Sequence, residues 1–222
     1  FLHGEILATD ISINSLSYAI LKTKNFGINN ITYIQADILD LQLLNRKFDV
    51  IECIGVLHHM KDPMHGLRIL TKCLKFGGVM RLGLYSKASR KHINQIKETI
   101  LKRGLRDTKE DILKFRREII KSKEDVFHNI KYASDFYSLS QFRDLFFHVQ
   151  EHSFSLIEIK DILQSLQLRF CGFDFPDMKI INRFQKIFFN KDSIYSLEDW
   201  NKFENQYQDA FIQMYQFWVQ KA

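Results

Sequence analysis

Acidic and imidazole side chains follow the first three predicted strands of the chain. Asp10 and Asp37 come directly after the first and second apolar runs, and His58 and His59 follow the third. At the carboxyl ends of parallel strands, one carboxylate can accept hydrogen bonds from both hydroxyls of a ribose, and a second can accept one from an exocyclic adenine amine. The two imidazoles are candidates for accepting a proton. These residues predict a site that binds a nucleoside and has catalytic groups beside it.

Each of these residues also has a structural interpretation. Asp10 suits the cap of the following helix, Asp37 suits a turn, and the two histidines suit packing at a helix entry. Because both acids stand at strand ends in the order of the strands, we favour the ligand-binding interpretation for them.

A second candidate group has the spacing H-x-x-E-H, formed by His148, Glu151 and His152. On a helix this is the inverted form of a zinc motif. No third ligand is evident, so we predict no metal and favour acceptor binding by these three residues. His148, Glu151 and His152 are also candidates for accepting a proton. Tyr85 is a further candidate base.

Apolar runs and turn signals place these residues on an α/β framework. The predicted strands are nearly continuous in apolar residues, which is typical of a parallel sheet covered on both faces. The expected elements are strands at 5–9, 31–36, 48–54 and 79–85, a helix at 13–26 begun by Ser12, and a helix begun by Asp62-Pro63 and ended by Gly77-Gly78.

The pattern changes after Ser86, where long amphipathic helices predict a cap over the carboxyl ends of the strands. The expected units are a partial cofactor-binding core at 1–86, a helical cap at 87–152, a return of the core at 153–176 and a helical tail at 177–222. The expected elements here are helices at 89–103 and 108–122, an ambiguous stretch at 139–152, a helix from Ser155, a strand at 168–175, and a helix from Ser196 with an aromatic stripe of Phe211, Tyr215 and Trp218.

Composition limits the class of protein. The 222 residues are 45% hydrophobic and 26% charged, which excludes general disorder. Cys53, Cys73 and Cys171 are scattered, so we predict neither a disulfide framework nor a zinc site, and a reducing, cytoplasmic setting. No apolar run reaches the roughly 20 residues that span a bilayer. The net charge of +6 leaves a nucleic-acid partner open, although interleaved acids favour paired charges on helix faces.

Four segments within residues 5–86 resemble the second to fifth strands of class I S-adenosylmethionine-dependent methyltransferases. They are ILATDIS, YIQADILDL, FDVIECIGVLHHMKDP and LKFGGVMRLGLYS, of which the third is the most specific. Two later segments, RDLFFHVQEHSFSLIEIKDIL and MYQFW, resemble methyltransferase domains found beside tetratricopeptide repeats in bacteria. That likeness implies a repeat segment upstream.

The resemblance implies S-adenosylmethionine as the cofactor. It also implies a doubly wound, mostly parallel Rossmann-like sheet with a helical cap and a helical C-terminal tail. In such a fold Asp10 binds the ribose and Ile11 packs on the adenine. Asp37 contacts the adenine amine, with Ile38 beside it. The turn Ile54-Gly55-Val56 lines the cofactor and the acceptor side.

One departure from the family is the missing Gly-rich turn after its first strand, since the only paired glycines are Gly77-Gly78. We expect a strand-loop-helix unit ahead of Phe1 to supply this turn, and we interpret the chain as an N-terminally truncated piece. The sheet should then have a gap between the strands at 5–9 and 48–54. We expect weak cofactor binding and low stability from this chain alone.

The expected function is methyl transfer to a small molecule or a protein side chain. Because the donor methyl group is already activated, the protein mainly aligns the donor with the acceptor and excludes water. An RNA acceptor is one alternative, with Arg90, Lys97 and Arg103 of the basic cap as candidate contacts. A non-catalytic methyltransferase-like interaction module is the other alternative.

Overall fold

The computed structural model describes residues 4–124, 127, 136–147, 151–175, 178–211 and 214–222. Strands and helices alternate along the first half of the chain, as the apolar runs predict. The elements are β1 (Ile6–Asp10), α1 (Ile13–Asn25), β2 (Ile31–Gln35), β3 (Phe48–Ile54), α2 (Pro63–Cys73), β4 (Leu74–Tyr85), α3 (Lys91–Lys102), α4 (Lys109–Lys121), α5 (Leu139–Phe146), α6 (Leu156–Ser165), β5 (Leu168–Phe173), α7 (Met178–Ile187), α8 (Leu197–Gln206) and β6 (Met214–Lys221).

Polar caps begin the helices where the sequence pattern places them. The Ser12 hydroxyl accepts a hydrogen bond from the backbone N–H of Ser15 at 3.2 Å and begins α1. The Asp62 carboxylate accepts one from the N–H of His65 at 2.9 Å and begins α2. Each cap satisfies a backbone donor that the helix itself leaves without a partner. Side-chain caps also begin α4, α6 and α8, at Thr108, Ser155 and Ser196.

The described strands form two sheets. β1 and β2 form a parallel pair, and the other four strands form a sheet in the order β3-β4-β6-β5. In the larger sheet β3, β4 and β5 run in one direction, and β6 runs against them between β4 and β5. The predicted mostly parallel α/β sheet is therefore confirmed. Within the described ranges, β1 and β3 each pair on one side only, so the sheet is interrupted between them.

Two separate hydrophobic clusters stabilise the fold. The larger one packs one face of the four-stranded sheet, including Leu82 and Phe217, against α2, α6, α7 and α8. The smaller one lies among α3, α4 and α5 and includes Ile96, Phe115 and Phe142. These three helices, which lie within the predicted cap, therefore share a core of their own, which the sequence pattern did not indicate.

The predicted helical tail is wrong for its last part, because Met214–Lys221 is strand β6. Tyr215 and Trp218 suggested helical spacing after Phe211, but the burial of the segment follows a period of two. Tyr215, Phe217 and Val219 are fully buried, whereas the residues between them are only partly covered. Alternation of this kind places every second side chain on the core face of a sheet, so the strand buries three large side chains.

The predicted end of α2 at Gly77-Gly78 is also wrong, since the helix ends at Cys73 and β4 begins at Leu74. Gly78 instead serves the close approach of β4 to β3, and Gly77 has a φ of 75° in the left-handed region. A Cβ on Gly78 would lie 2.9 Å from the carbonyl oxygen of Lys75 and 3.0 Å from that of Asp49. Only a residue without a side chain fits there. In the ambiguous stretch at 139–152, the described part forms the helix Leu139–Phe146.

A buried carboxylate joins β4, β6 and α8. The Glu204 oxygens accept hydrogen bonds from the Tyr215 hydroxyl at 2.7 and 2.8 Å, and one of them also accepts from the Ser86 hydroxyl at 3.2 Å. Burial raises the pKa of Glu204 above its usual value, although the two hydroxyl donors oppose the shift. Both effects follow from placing a charge where solvent does not reach it.

We expect Glu204→Gln to change how stability depends on pH. A raised pKa means that the folded state holds the proton more tightly than the unfolded state. Glu204 therefore lowers the free energy of unfolding progressively as the pH rises above about 4.5. The variant lacks this loss, so its stability relative to the parent should be greater at pH 8 than at pH 4.5. Urea unfolding at both pH values measures this, and an unchanged difference would contradict it.

No helix in the described ranges is long and apolar enough to cross a membrane.

Candidate functional site

A cavity of about 630 Å³ opens at the interruption between β1 and β3. Its walls come from these two strands, the turn after β2 and the segment after β3. Six of the predicted cofactor residues line it, namely Asp10, Ile11, Asp37, Ile38, Ile54 and Val56. The sequence-predicted nucleoside residues are therefore gathered around one space.

The two acids of the cavity both organise the backbone at a strand end. One Asp10 oxygen accepts a hydrogen bond from the N–H of Ser12 at 2.7 Å, and one Asp37 oxygen accepts from the N–H of Leu39 at 2.9 Å. The carbonyl of Asp10 also accepts from the N–H of Ala36 at 3.2 Å, which joins the two strand ends. The structural interpretation is thus correct for Asp37, which organises a turn, and wrong for Asp10, since the cap of α1 is Ser12. Each bond to a backbone N–H occupies one oxygen of the acid. It leaves the second carboxylate oxygen available, because a carboxylate can accept up to about four hydrogen bonds.

Gly55 is the predicted cofactor residue that does not line the cavity. It has a φ of 79°, in the left-handed region that side chains rarely adopt. This conformation turns the chain at the end of β3. The turn leaves Val56 45% exposed at the cavity wall. Gly55 therefore positions its neighbours.

The structure separates the two adjacent histidines. His59 lines the cavity, whereas His58 is fully buried with its ring stacked on Tyr85 at 3.6 Å between centroids. Burial lowers the pKa of His58 to about 3, and the charges of His59, Arg90 and His152 act in the same direction. The backbone of Gly83 opposes the shift. A buried imidazole of this kind stays neutral and is poorly placed to touch an acceptor.

The other two predicted catalytic histidines have different outcomes. His148 lies outside the described residues. His152 is half-buried, and its backbone N–H donates to the carbonyl of His58 at 2.8 Å. It therefore lies beside the turn that carries His58 and His59, which we call the histidine turn, and it does not line the cavity. The described residues contain no group of three or more His, Cys, Asp or Glu side chains that could hold a metal ion.

Glu151 is the remaining member of the H-x-x-E-H spacing, and it forms buried ion pairs with two basic residues. Glu151 pairs with Arg90, with a distance of 2.5 Å between Nε and Oε1, and with Lys97 at 2.7 Å. Arg90 is 1% exposed. Arg103 pairs with the carboxylate of Glu118 at 3.0 Å. The three basic residues that we considered for RNA contact are therefore all paired with carboxylates.

Sequence reasoning missed several residues of the cavity wall. Glu52 and Cys53 line it from β3, and Met60 and Lys61 line it after the histidine turn. Burial raises the pKa of the Cys53 thiol to about 11, so this residue is present as the thiol. Side chains alternate between the two faces of a strand. The sequence could therefore have indicated that Glu52 lies on the opposite face of β3 from Cys53. The other two follow directly from His59 in the chain.

A sequence-family model described as a methyltransferase domain matches residues 1–144. An uncharacterized protein of Synechococcus sp. is 29% identical over 182 residues, which are 78% of this chain and 44% of that protein. A ubiquinone/menaquinone biosynthesis C-methyltransferase of Idiomarina loihiensis is 32% identical over 94 residues, which are 42% of this chain and 38% of that protein. The matched part spans less than half the length of these relatives.

Solved structures show the same fold. PKMT2 from Rickettsia typhi is similar over 97% of this chain and 43% of its own, with a TM-score of 0.64 and 17% identity. The same protein in complex with AdoHcy has a TM-score of 0.61 and 18% identity. Together with the match over residues 1–144, the α/β sheet establishes the family. The chain belongs to the methyltransferase-domain family.

Proposed function

We propose that this chain is the core of an S-adenosylmethionine-dependent methyltransferase that acts on a small-molecule or protein acceptor. The observation that carries this proposal is the convergence of Asp10 and Asp37 on one cavity at neighbouring strand ends. In open α/β sheets, ligands bind beyond the carboxyl ends of the strands. The AdoHcy complex of the Rickettsia typhi protein, which shares the fold, supports the choice of cofactor.

The residues of the cavity fit this cofactor chemically. Asp10 and Asp37 each use one carboxylate oxygen for a local backbone N–H, which leaves acceptor capacity for ribose hydroxyls and for the adenine amine. Ile11 is 68% exposed at the cavity, although it is a large apolar residue. A flat apolar ring packed on Ile11 and Ile38 would remove this surface from water.

The chemistry assigns simple roles to the chain. When bound, the cofactor supplies a methyl group activated by its sulfonium. The cavity residues align this donor with the acceptor and exclude water. We propose His59 as the group that accepts a proton when the acceptor has one to lose, since it lies at the cavity wall. The buried His58, and His152 beside it, support the histidine turn.

We also propose that a further strand of the intact protein occupies the space between β1 and β3. Both strands have hydrogen-bonded neighbours on one side only in the described part of the chain. A strand edge with unpaired backbone groups is ready to pair with another strand, so a strand that pairs with both edges would complete the sheet. Its loop would supply the Gly-rich turn that residues 1–222 lack. A repeat segment ahead of it remains a prediction from the resemblance.

The test is titration of S-adenosylhomocysteine into a longer form of the protein, extended upstream by roughly one βαβ unit, and into this chain. We expect Asp10→Ala to weaken binding in the longer form by about 10-fold or more, because charge-assisted hydrogen bonds to the ribose are lost. Asp10→Asn keeps an oxygen for the N–H of Ser12 and should also weaken binding. Calorimetry measures both variants.

The matched control is Asp40→Ala, which removes an exposed acid that does not line the cavity. It should bind like the parent. No binding to a folded longer form would contradict the proposed function and would favour the interaction module. Equal loss in Asp10→Ala and Asp40→Ala would contradict the role of Asp10.

A further inference from the structure

Three aromatic and cationic groups form a continuous stack at the carboxyl end of β4. The Tyr85 ring lies 3.6 Å from the ring of His58, between centroids, with an interplanar angle of 30°. The Cζ atom of the Arg90 guanidinium lies 3.8 Å from the same Tyr85 centroid. Two groups this close to one centroid would crowd each other on a single ring face, which favours opposite faces of the ring. Tyr85 is therefore clamped between Arg90 and His58.

Glu151 holds the outer end of this stack. Its carboxylate contacts Arg90 with a second distance of 2.7 Å, from Oε2 to Nη2, in addition to the contact at Nε. The contact at Nη2 is a hydrogen bond, whereas Nε lies close to Oε1 without hydrogen-bond geometry. One edge of the guanidinium is therefore held by a buried carboxylate. The side chains of Arg90 and Glu151 are 2% and 6% exposed. Burying charges is expensive, so the pair is better explained by the geometry that it imposes than by net stability.

Backbone hydrogen bonds hold the same groups from the other side. The N–H of His152 donates to the carbonyl of His58, and the N–H of Phe154 donates to the carbonyl of Tyr85, both at 2.8 Å. The N–H of Arg90 donates to the carbonyl of Ser86 at 3.0 Å. The segment that carries Glu151 is thus hydrogen-bonded to the backbone of both His58 and Tyr85.

At the end opposite Glu151, the stack reaches the cavity wall through His59, which contacts His58. The ring of His59 lies 4.4 Å from that of His58 and 5.7 Å from that of Tyr85, edge-on to the latter at 88°. His59 borders the cavity beside Met60. A change in the tilt of Tyr85 therefore changes the surface on which His59 rests.

We propose that Arg90 is a positioning residue of the methyl-transfer site. Held by Glu151, it clamps Tyr85 against His58 and so fixes the orientation in which His59 borders the cavity. The functional meaning of this clamp rests on the proposed function, whereas the clamp itself does not. It links the helical cap, which contributes Arg90 and Lys97 at the start and middle of α3, to the acceptor side of the cavity.

Proton NMR of the histidine rings in this chain tests the proposal. The parent should show ring-to-ring cross-peaks from His59 to Tyr85 and to His58. Arg90→Lys keeps the charge but loses the planar guanidinium. We expect it to lose the His59–Tyr85 cross-peaks and to shift the His59 ring resonances. The matched control is Arg103→Lys, which alters a half-exposed pair with Glu118 in the same cap and should leave both signals unchanged.

A folded Arg90→Lys protein with unchanged His59 signals would overturn the proposal. If Arg90→Lys does not fold, Tyr85→Leu decides, because it removes the clamped ring and leaves the Arg90–Glu151 pair. Loss of the His58–His59 ring contact in that variant supports the clamp, and its persistence overturns it. None of these spectra needs the cofactor. Failure of S-adenosylhomocysteine binding would therefore be distinguishable from failure of the clamp.

Discussion

Replacement of Glu151 by alanine should lower the free energy of unfolding by about 3–5 kcal/mol. The change leaves the buried Arg90 guanidinium without its carboxylate. Arg90 cannot relieve this by losing its proton. Lys97 can do so more easily, because burial already lowers its pKa and Glu151 is the group that opposes that shift. The cost therefore comes mainly from Arg90. Urea unfolding followed by circular dichroism measures it.

The matched control is Glu118→Ala, which removes a carboxylate from a pair with Arg103 on the surface of the same cap. Both side chains of that pair are about half exposed, so the loss should stay within about 1 kcal/mol. Similar losses in the two variants would mean that the buried pair contributes no more than a surface pair. That outcome would also remove the reason for treating Glu151 as the anchor of the Tyr85 clamp.

The fold was predictable where local signals and long-range packing agree. Ser12, Asp62 and Ser155 are each found at the start of a helix, because a cap depends only on residues a few positions away. The last strand was not predictable in this way. Its pairing with β4 and β5 joins segments far apart in the chain, and the aromatic residues of the tail fit either period. Burial decides between the two periods, and burial is a tertiary property.

The candidate site was likewise predictable from the sequence only in part. Asp10 and Asp37 could be predicted to lie together, because the ends of parallel strands meet at one edge. The different environments of His58 and His59 could not be predicted, because they depend on Tyr85 and on Arg90. The pairing of Arg90 with Glu151 joins residues 61 positions apart. No local pattern indicates a contact of that kind.

These ion pairs bear directly on the RNA alternative. Arg90 and Lys97 are buried or nearly so and share one carboxylate, so their charge is not displayed to a polyanion. Phosphate contacts require accessible cations. Alanine variants at these positions would disturb the core of the cap before they reported on RNA. These two residues therefore give no support to a nucleic-acid acceptor.

Replacement of His58 by phenylalanine should make the protein less sensitive to acid. The pKa of His58 is lowered from 6.5 to about 3, so the unfolded state binds this proton at a higher pH than the folded state does. Stability from this group is fully present above about pH 6.5 and is lost progressively as the pH falls toward 3. At pH 4.5 the loss should be on the order of 2 kcal/mol. The phenylalanine keeps a ring against Tyr85 and carries no titrating nitrogen.

The prediction concerns a difference between two pH values, so it holds even if the larger ring costs some stability at pH 7. Urea unfolding of both proteins at pH 7 and pH 4.5 gives that difference. His92→Gln, which removes an exposed imidazole from α3, is the control and should follow the parent. If the parent and His58→Phe lose the same stability on acidification, His58 is protonated in the folded state. Its ring would then repel Arg90 across Tyr85, and the stack described above would persist only at neutral pH.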